Sequence, residues 1–249
     1  MAEIDYEKLY ERVGAEIGWD FSSIKCRTEN EAWNFYDEVR KYCDAQTILL
    51  DIGSGSGEKV LAIAPEVLLL IGVDAAQAMI QAARANLLKT GLANVRFFTM
   101  RAEKLGFPEG FFQRVSCRHC SFDAREVARV LTEDGVFLTQ QVSEADKLNI
   151  KGAFRRGQNF GREDGTQKNA YERELKEAGF REVQVLDYDA TEYYQTAEDL
   201  FFLLKHTPII PDFGAVAGDL DIFRRLVEEY RTERGICTNS KRYLLIARK

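Results

Sequence analysis

From residue 47 onward, short apolar runs alternate with stretches of helical spacing, and this alternation constrains the fold more than any other feature. "TILLDIG" (47–53), "VLLLIGVD" (67–74), "NVRFFTM" (94–100), "RVSCRH" (114–119), "VFLTQQV" (136–142), "REVQVLDYDA" (181–190) and "RYLLIARK" (242–249) read as strands. Between them lie "EKVLAIAPE", "AAQAMIQAARANLLKTG", "DAREVARVLTEDG" and "YERELKEAGF", which have helical periodicity, and several end in a glycine stop. Runs that are apolar at every position belong to strands buried on both faces. The pattern therefore predicts a mostly parallel α/β sheet with helices on both sides. With 249 residues, 45% of them hydrophobic, the chain can bury such a core as one domain.

Two segments stand outside the alternation. Residues 1–44 carry helical spacing at 5–16 and 29–44 and are expected to form a helical cap. Residues 190–239 hold two helical patterns around "TPIIPDFG", too long for a plain connection, and predict a lid over the carboxyl edge of the sheet. The domain is thus divided into a cap (1–44), a core (45–189), a lid (190–239) and a final strand (240–249). No apolar run approaches the roughly 18 residues of a membrane span, and the charged start is unlike a signal peptide; a soluble, cytoplasmic protein is expected.

The formal charge of −6 disfavours bulk attraction to nucleic acid, so a small acceptor or ligand is expected before RNA. Five cysteines (Cys26, Cys43, Cys117, Cys120, Cys237) form no regular framework and read as free thiols. "CRHC" (117–120) has no second ligand pair, and no metal site is expected.

The turn after the first predicted strand, "DIGSGSGEK", carries Gly53, Gly55 and Gly57. Glycines allow a tight turn and a close backbone approach to a ligand. In the dinucleotide fingerprint the third glycine follows the second by three residues. Here it follows by two, with Glu58 in the fingerprint position, and no Walker G-K-[ST] follows either. Asp74, ending the second strand, can accept both hydroxyls of a ribose; it can equally cap the helix at 75–90. Asp51, just ahead of the glycines, would repel a pyrophosphate and attract a cation, such as an ammonium and sulfonium pair.

"LLDIGSGSGEKV", "IGVDAAQAMIQAARANL", "RAEKLGFP" and "DAREVARVLTEDGVFL" resemble, in order and spacing, the successive motifs of class I S-adenosylmethionine-dependent methyltransferases of the type 11/25-like group. The resemblance covers about residues 45 to 145. It implies a Rossmann-like, seven-stranded sheet whose last strand is antiparallel. It also implies a set of cofactor contacts: Asp51 and the backbone of Gly53, Ser54 and Gly55, with Gly57, at the methionine end; Asp74 at the ribose; Ala75, Met79, Arg101, Ala102 and Glu103 around the adenine. Arg118 would border both the methionine moiety and the acceptor. Arg101 stands where many members have an acid, and Gln113 replaces their common aspartate.

Methyl transfer from a sulfonium is an in-line displacement that positioning alone can accelerate, so the resemblance demands no catalytic residue. His119 sits where the acceptor approaches and is the candidate base. Trp19, Phe21, Trp33, Tyr36, Tyr193 and Tyr194 are candidate walls of the acceptor pocket. Arg155, Arg156 and Gln158 in "GAFRRGQNFGREDG" are candidate grips for a polar acceptor, and His206 reads as the end of a lid helix. Two other readings remain at this level. "FDAREVARVLTEDG" with "LFFLLKHTP" is similar to bacterial rRNA guanine-N1 methyltransferases, without their cysteine-rich zinc module. The chain could also bind the cofactor without catalysis. A monomer or homodimer is expected.

Overall fold

The computed structural model describes residues 6–17 and 21–249. Five parallel strands form its centre: β2 (Ile48–Ile52), β3 (Leu69–Asp74), β4 (Val95–Thr99), β5 (Phe112–Arg118) and β6 (Leu131–Val142). β9 (Gly235–Arg248) lies antiparallel against β6, and β7 (Glu182–Tyr194) lies antiparallel against β9. The seven strands expected are therefore all present, with the C-terminal one antiparallel. Two more extend the count to nine: β1 (Cys26–Glu29), on the edge beside β7, and the two-residue β8 (Arg231–Thr232), paired with β9. The spatial order is β1-β7-β9-β6-β5-β2-β3-β4.

The two faces of the sheet hold different cores. On one, Phe112, Val115, Phe137 and Leu245 pack with α5 (Ala124–Val130) and α7 (Thr166–Glu177). On the other, Leu49, Leu70, Leu138 and Leu244 pack with α2 (Phe35–Arg40), α3 (Glu58–Leu61) and α4 (Gln77–Leu88). Burial of apolar side chains on both faces of β2 and β3 (Leu49 and Leu50, Leu70 and Ile71) explains why these strands read as unbroken apolar runs.

The helical expectation for residues 29–44 is corrected. Asn34 accepts the N–H groups of Tyr36 and Asp37, which fixes the start of α2 at Phe35, and the helix ends at Arg40. Residues 26–29 pair with β7 instead. The predicted first helix is present as α1 (Tyr6–Ile17).

Within residues 190–239, expected as a lid with two helices, strand pairing continues at both ends of the segment. β7 and β9 stay in register from Glu182↔Arg248 to Tyr194↔Ile236, well past the last pair between β6 and β9, Val142↔Arg242. α8 (Ala197–His206) and α9 (Asp219–Glu229) sit at this projecting end with α6 (Leu148–Phe154), around a third core of Phe154, Leu200, Phe213, Phe223 and Leu226. α8 begins in a capping box between Thr196 and Asp199. Buried charges anchor the unit: Lys147 Nζ donates to Glu192 Oε2 at 2.6 Å, and Arg156 grips Asp219 with two bonds of 2.9 Å. The Lys147 ammonium and the Tyr194 hydroxyl hold Glu192 down to about 2 against the cost of its burial.

Candidate functional site

The glycine turn stands at the carboxyl end of β2. Gly53, Gly55 and Gly57 all have left-handed backbones, with φ of 70°, 54° and 75°. A Cβ on Gly53 would lie 2.5 Å from Cys120 Cβ, and one on Gly57 would lie 2.6 Å from the Phe97 ring. Conformation and packing thus both require the small residue. The N–H groups of Gly53 and Ser54 bond Val73 O, and that of Gly55 bonds Asp74 Oδ2 at 3.0 Å. The turn is therefore braced by β3 before any ligand arrives. Ser54 Oγ is buried without a partner among the described residues.

Asp51 lies directly beneath the turn and is fully buried. It accepts Ser116 Oγ at 2.5 Å and the Tyr36 hydroxyl at 3.4 Å. Burial outweighs these donors and Arg118, pushing its carboxyl from the ordinary 3.8 up to about 7. A carboxylate held so unfavourably is poised for a cation. Asp74 ends the neighbouring strand, half-buried, and its second oxygen accepts the N–H of Ala76 at 2.9 Å. It caps the helix side and braces the glycine turn together. Each carboxylate oxygen takes a second bond, so both can still meet ribose hydroxyls. Burial raises its carboxyl as well.

The next helix, α4, has no cap of its own at Ala76. Glu11 of α1 supplies one from outside, its two oxygens accepting the N–H groups of Gln77 at 2.6 Å and Ala78 at 3.3 Å. This contact places an N-terminal carboxylate beside Asp74, whose carboxyl it helps to raise. At the far end of α1, Glu16 Oε2 lies 3.7 Å from His206 Nε2 of α8.

A polar row crosses the sheet at its carboxyl edge, on the face covered by α2. The registers Asp51↔Ser116, Arg118↔Gln140, Val142↔Arg242 and Arg242↔Tyr188 align Asp51, Arg118, Gln140, Arg242 and Tyr188 on one side. Trp33 closes over it: its ring meets Tyr188 edge-on at 4.6 Å, and its indole Nε1 donates to Gln140 Oε1 at 2.9 Å. Gln140 Nε2 lies 3.0 Å from His119 Nε2. An indole only donates, so Gln140 must turn its oxygen to Trp33 and its amide N–H to His119. His119 then accepts through Nε2 and carries its proton on Nδ1. Burial, Arg118 and Arg242 hold the imidazole well below its ordinary value, so it is neutral. Arg242 is engaged by Asp146 at 2.5 Å.

The structure brings together Asp51, the glycines, Ser54, Asp74, Arg118 and His119, with Trp33 and Tyr36. Met79 is buried on α4. Ala75 is exposed beside Asp74, Ala102 is nearly buried, and Arg101 and Glu103 are exposed with 3.5 Å between them. Other candidates are placed elsewhere. Tyr194 sits in the projecting core and donates to Glu192, while Tyr193 is covered by the Arg234 guanidinium at 4.3 Å. Arg155 is exposed at the end of α6, Arg156 is committed to Asp219, and Gln158 bonds Ile209 O through its N–H. Phe21 packs edge-on against Phe202, at the foot of α8. His206 ends α8, donating Nδ1–H to Phe202 O at 2.8 Å. Trp19 lies outside the described residues. Cys117 points into the core, its thiol donating to Cys120 O at 3.1 Å, and burial beside Cys117 keeps the Cys120 thiol protonated. Sequence reasoning missed Gln140, Arg242 and Tyr188. A polar pair in "LTQQV" and an arginine opening "RYLLIARK" were their only signals.

The parallel strands carry a glycine turn after β2 and an acid at the end of β3, and the C-terminal strand is antiparallel. Residues 49–135 match the family model described as a methyltransferase domain. Over 103 residues it is 42% identical to the uncharacterized methyltransferase YcgJ of Bacillus subtilis, a match that spans 39% of this chain and 41% of that protein. The crystal structure of YcgJ superposes over 86% of this chain and 97% of its own, with a TM-score of 0.60 at 24% identity. A functionally unknown protein from Deinococcus radiodurans R1 is similar over 97% of this chain and 99% of its own (TM-score 0.61, 17% identity). The [4+2]-cyclase SpnF is similar over 98% and 94% (TM-score 0.61, 18% identity). At these identities the structural likeness speaks for the fold. Among the described residues no helix is long and apolar enough to cross a membrane.

Proposed function

We propose that this protein transfers the methyl group of S-adenosylmethionine to a small-molecule acceptor. The observation that carries the reading is the fully buried Asp51 beneath the glycine turn, its carboxyl raised to about 7, with Asp74 one strand away. A phosphate-bearing cofactor would be repelled there, whereas an α-ammonium next to a sulfonium gains from both carboxylates. Asp51 and the turn would hold the amino-acid end, Asp74 the ribose, and Met79 and Ala102 the apolar walls of the adenine.

The bound sulfonium would supply an already activated methyl group. The protein's contribution is then alignment and exclusion of water. Trp33 and Tyr188 close the carboxyl edge over His119 and Arg118. Tyr36 remains a neutral donor to Asp51, because burial and that carboxylate push its phenol well above the ordinary range. A small acceptor is favoured over RNA by the net charge of −6 and by the aromatic cover on the row. The unit carrying α8 and α9 serves as a lid at this edge.

Thermal shift with S-adenosylhomocysteine against NAD tests the donor. Only the former stabilises the protein if the reading is right, and the reverse result removes it. Asp74→Ala should weaken S-adenosylhomocysteine binding by about tenfold or more, through loss of a bidentate charge-assisted contact; calorimetry showing unchanged affinity would end the ribose role.

A further inference from the structure

We infer that the acceptor is an organic oxyanion, with Arg118 as its counter-ion and His119 as a hydrogen-bond donor rather than a base. This rests on the donor reading above and adds the acceptor's chemistry to it.

Arg118 is half-buried at the end of β5 and makes no side-chain hydrogen bond or ion pair with any described residue. The acidic groups near it are hydrogen-bonded to other partners. Asp51 lies under the donor end, bonded to Ser116 and Tyr36. Asp146 belongs to Arg242. Glu31 accepts the Tyr188 hydroxyl at 3.4 Å. A partly desolvated guanidinium with no directly bonded carboxylate is costly to hold, and an anion is the complement that offsets the cost. Its planar fork matches a carboxylate or another oxyanion in bidentate fashion.

His119 points the same way. Its backbone is left-handed, φ 57°, and its N–H bonds Gln140 O at 2.8 Å, so the ring is fixed at the strand end. The chain from Trp33 through Gln140 occupies Nε2 and leaves Nδ1–H as the ring's remaining polar group. The nitrogen that a base would use is taken. An acceptor that had to lose a proton would find no free base in the row. One that arrives ionised needs only a counter-charge and a donor, and both are present.

The step balances without a proton acceptor. The oxyanion's electron pair forms the new O–C bond as the C–S bond breaks. The sulfur keeps the bonding pair, so the sulfonium becomes the neutral thioether of S-adenosylhomocysteine. The Trp33 and Tyr188 rings offer the apolar part of the acceptor a surface.

The test uses methyl-labelled S-adenosylmethionine and a small-molecule cell filtrate split on an anion exchanger into retained and unretained fractions. Label is expected in products from the retained, anionic fraction only. Arg118→Met should cut that labelling by about 30-fold or more while S-adenosylhomocysteine affinity stays within about threefold. Arg118→Lys, which keeps the charge, should recover part of the loss. S-adenosylhomocysteine binding by each variant also reports that it is folded. Labelling from the unretained fraction, labelling from neither fraction, labelling unaffected by Arg118→Met, or a tenfold fall in S-adenosylhomocysteine affinity would each overturn the inference. Wild-type protein that does not bind S-adenosylhomocysteine would remove the donor reading itself, and this inference with it.

Discussion

Replacing Asp51 with asparagine should make the ligand-free protein more stable. The carboxyl is fully buried, and its value rises from 3.8 to about 7 on folding. The folded chain therefore keeps this proton to a higher pH than the unfolded chain does. The sign follows: at pH below about 4 both states are protonated and nothing is lost. Between pH 4 and 7 the unfolded chain ionises first, and stability falls by about 1.4 kcal/mol per pH unit. At pH 8 the accumulated penalty is about 4 kcal/mol. Asparagine carries no charge and can keep both the Ser116 and the Tyr36 partners. Urea denaturation of the two proteins from pH 4 to 8 should show curves that coincide at the acid end and separate steadily above it, the variant uppermost. With saturating S-adenosylhomocysteine at pH 8 the order should reverse, because only the wild type offers its ammonium a carboxylate. A gap independent of pH, or a ligand-free wild type more stable at pH 8, would refute the reasoning.

The unit carrying α6, α8 and α9 rests on a buried ion pair, so Lys147→Met should cost about 3 kcal/mol by stranding Glu192. Since Glu192 is held near 2, the wild-type contribution is complete above pH 4.5 and is lost as pH falls toward 2; a thermal scan of both proteins across that range checks it. Glu11→Ala should cost about 1 kcal/mol, the worth of a helix cap, and hydrogen exchange should localise the loss to α1 and the first turn of α4.

The parallel core could be read from the sequence because its strands are buried on both faces and leave continuous apolar runs. Asp51, the glycines and Asp74 were legible because backbone conformation and a neighbouring charge require those residue types. Other features depend on partners far away in the chain. Glu11 caps a helix 66 residues on, and nothing in "YEKLYERVG" distinguishes its carboxylate from its neighbours. Gln140 looked like one of two polar residues near a strand end. Its role appears only when Trp33, 107 residues earlier, fixes which way its amide turns. The same contact fixes Nε2 of His119 as the accepting nitrogen and puts the ring proton on Nδ1. Tyr193 and Tyr194 were candidate pocket walls; strand pairing runs four residues past 190 and places Tyr194 in a separate core and Tyr193 under the Arg234 guanidinium.

That continued pairing has a mechanical consequence. The unit of α6, α8 and α9 is mounted on two strands that run unbroken out of the core, locked together over thirteen consecutive positions. A beam of this kind can twist, but it cannot fold at a hinge without tearing its own ladder. The wall it supports is therefore fixed in height and angle. α1 spans from the cofactor turn to this wall, tied by two carboxylates, Glu11 at the start of α4 and Glu16 beside His206 of α8.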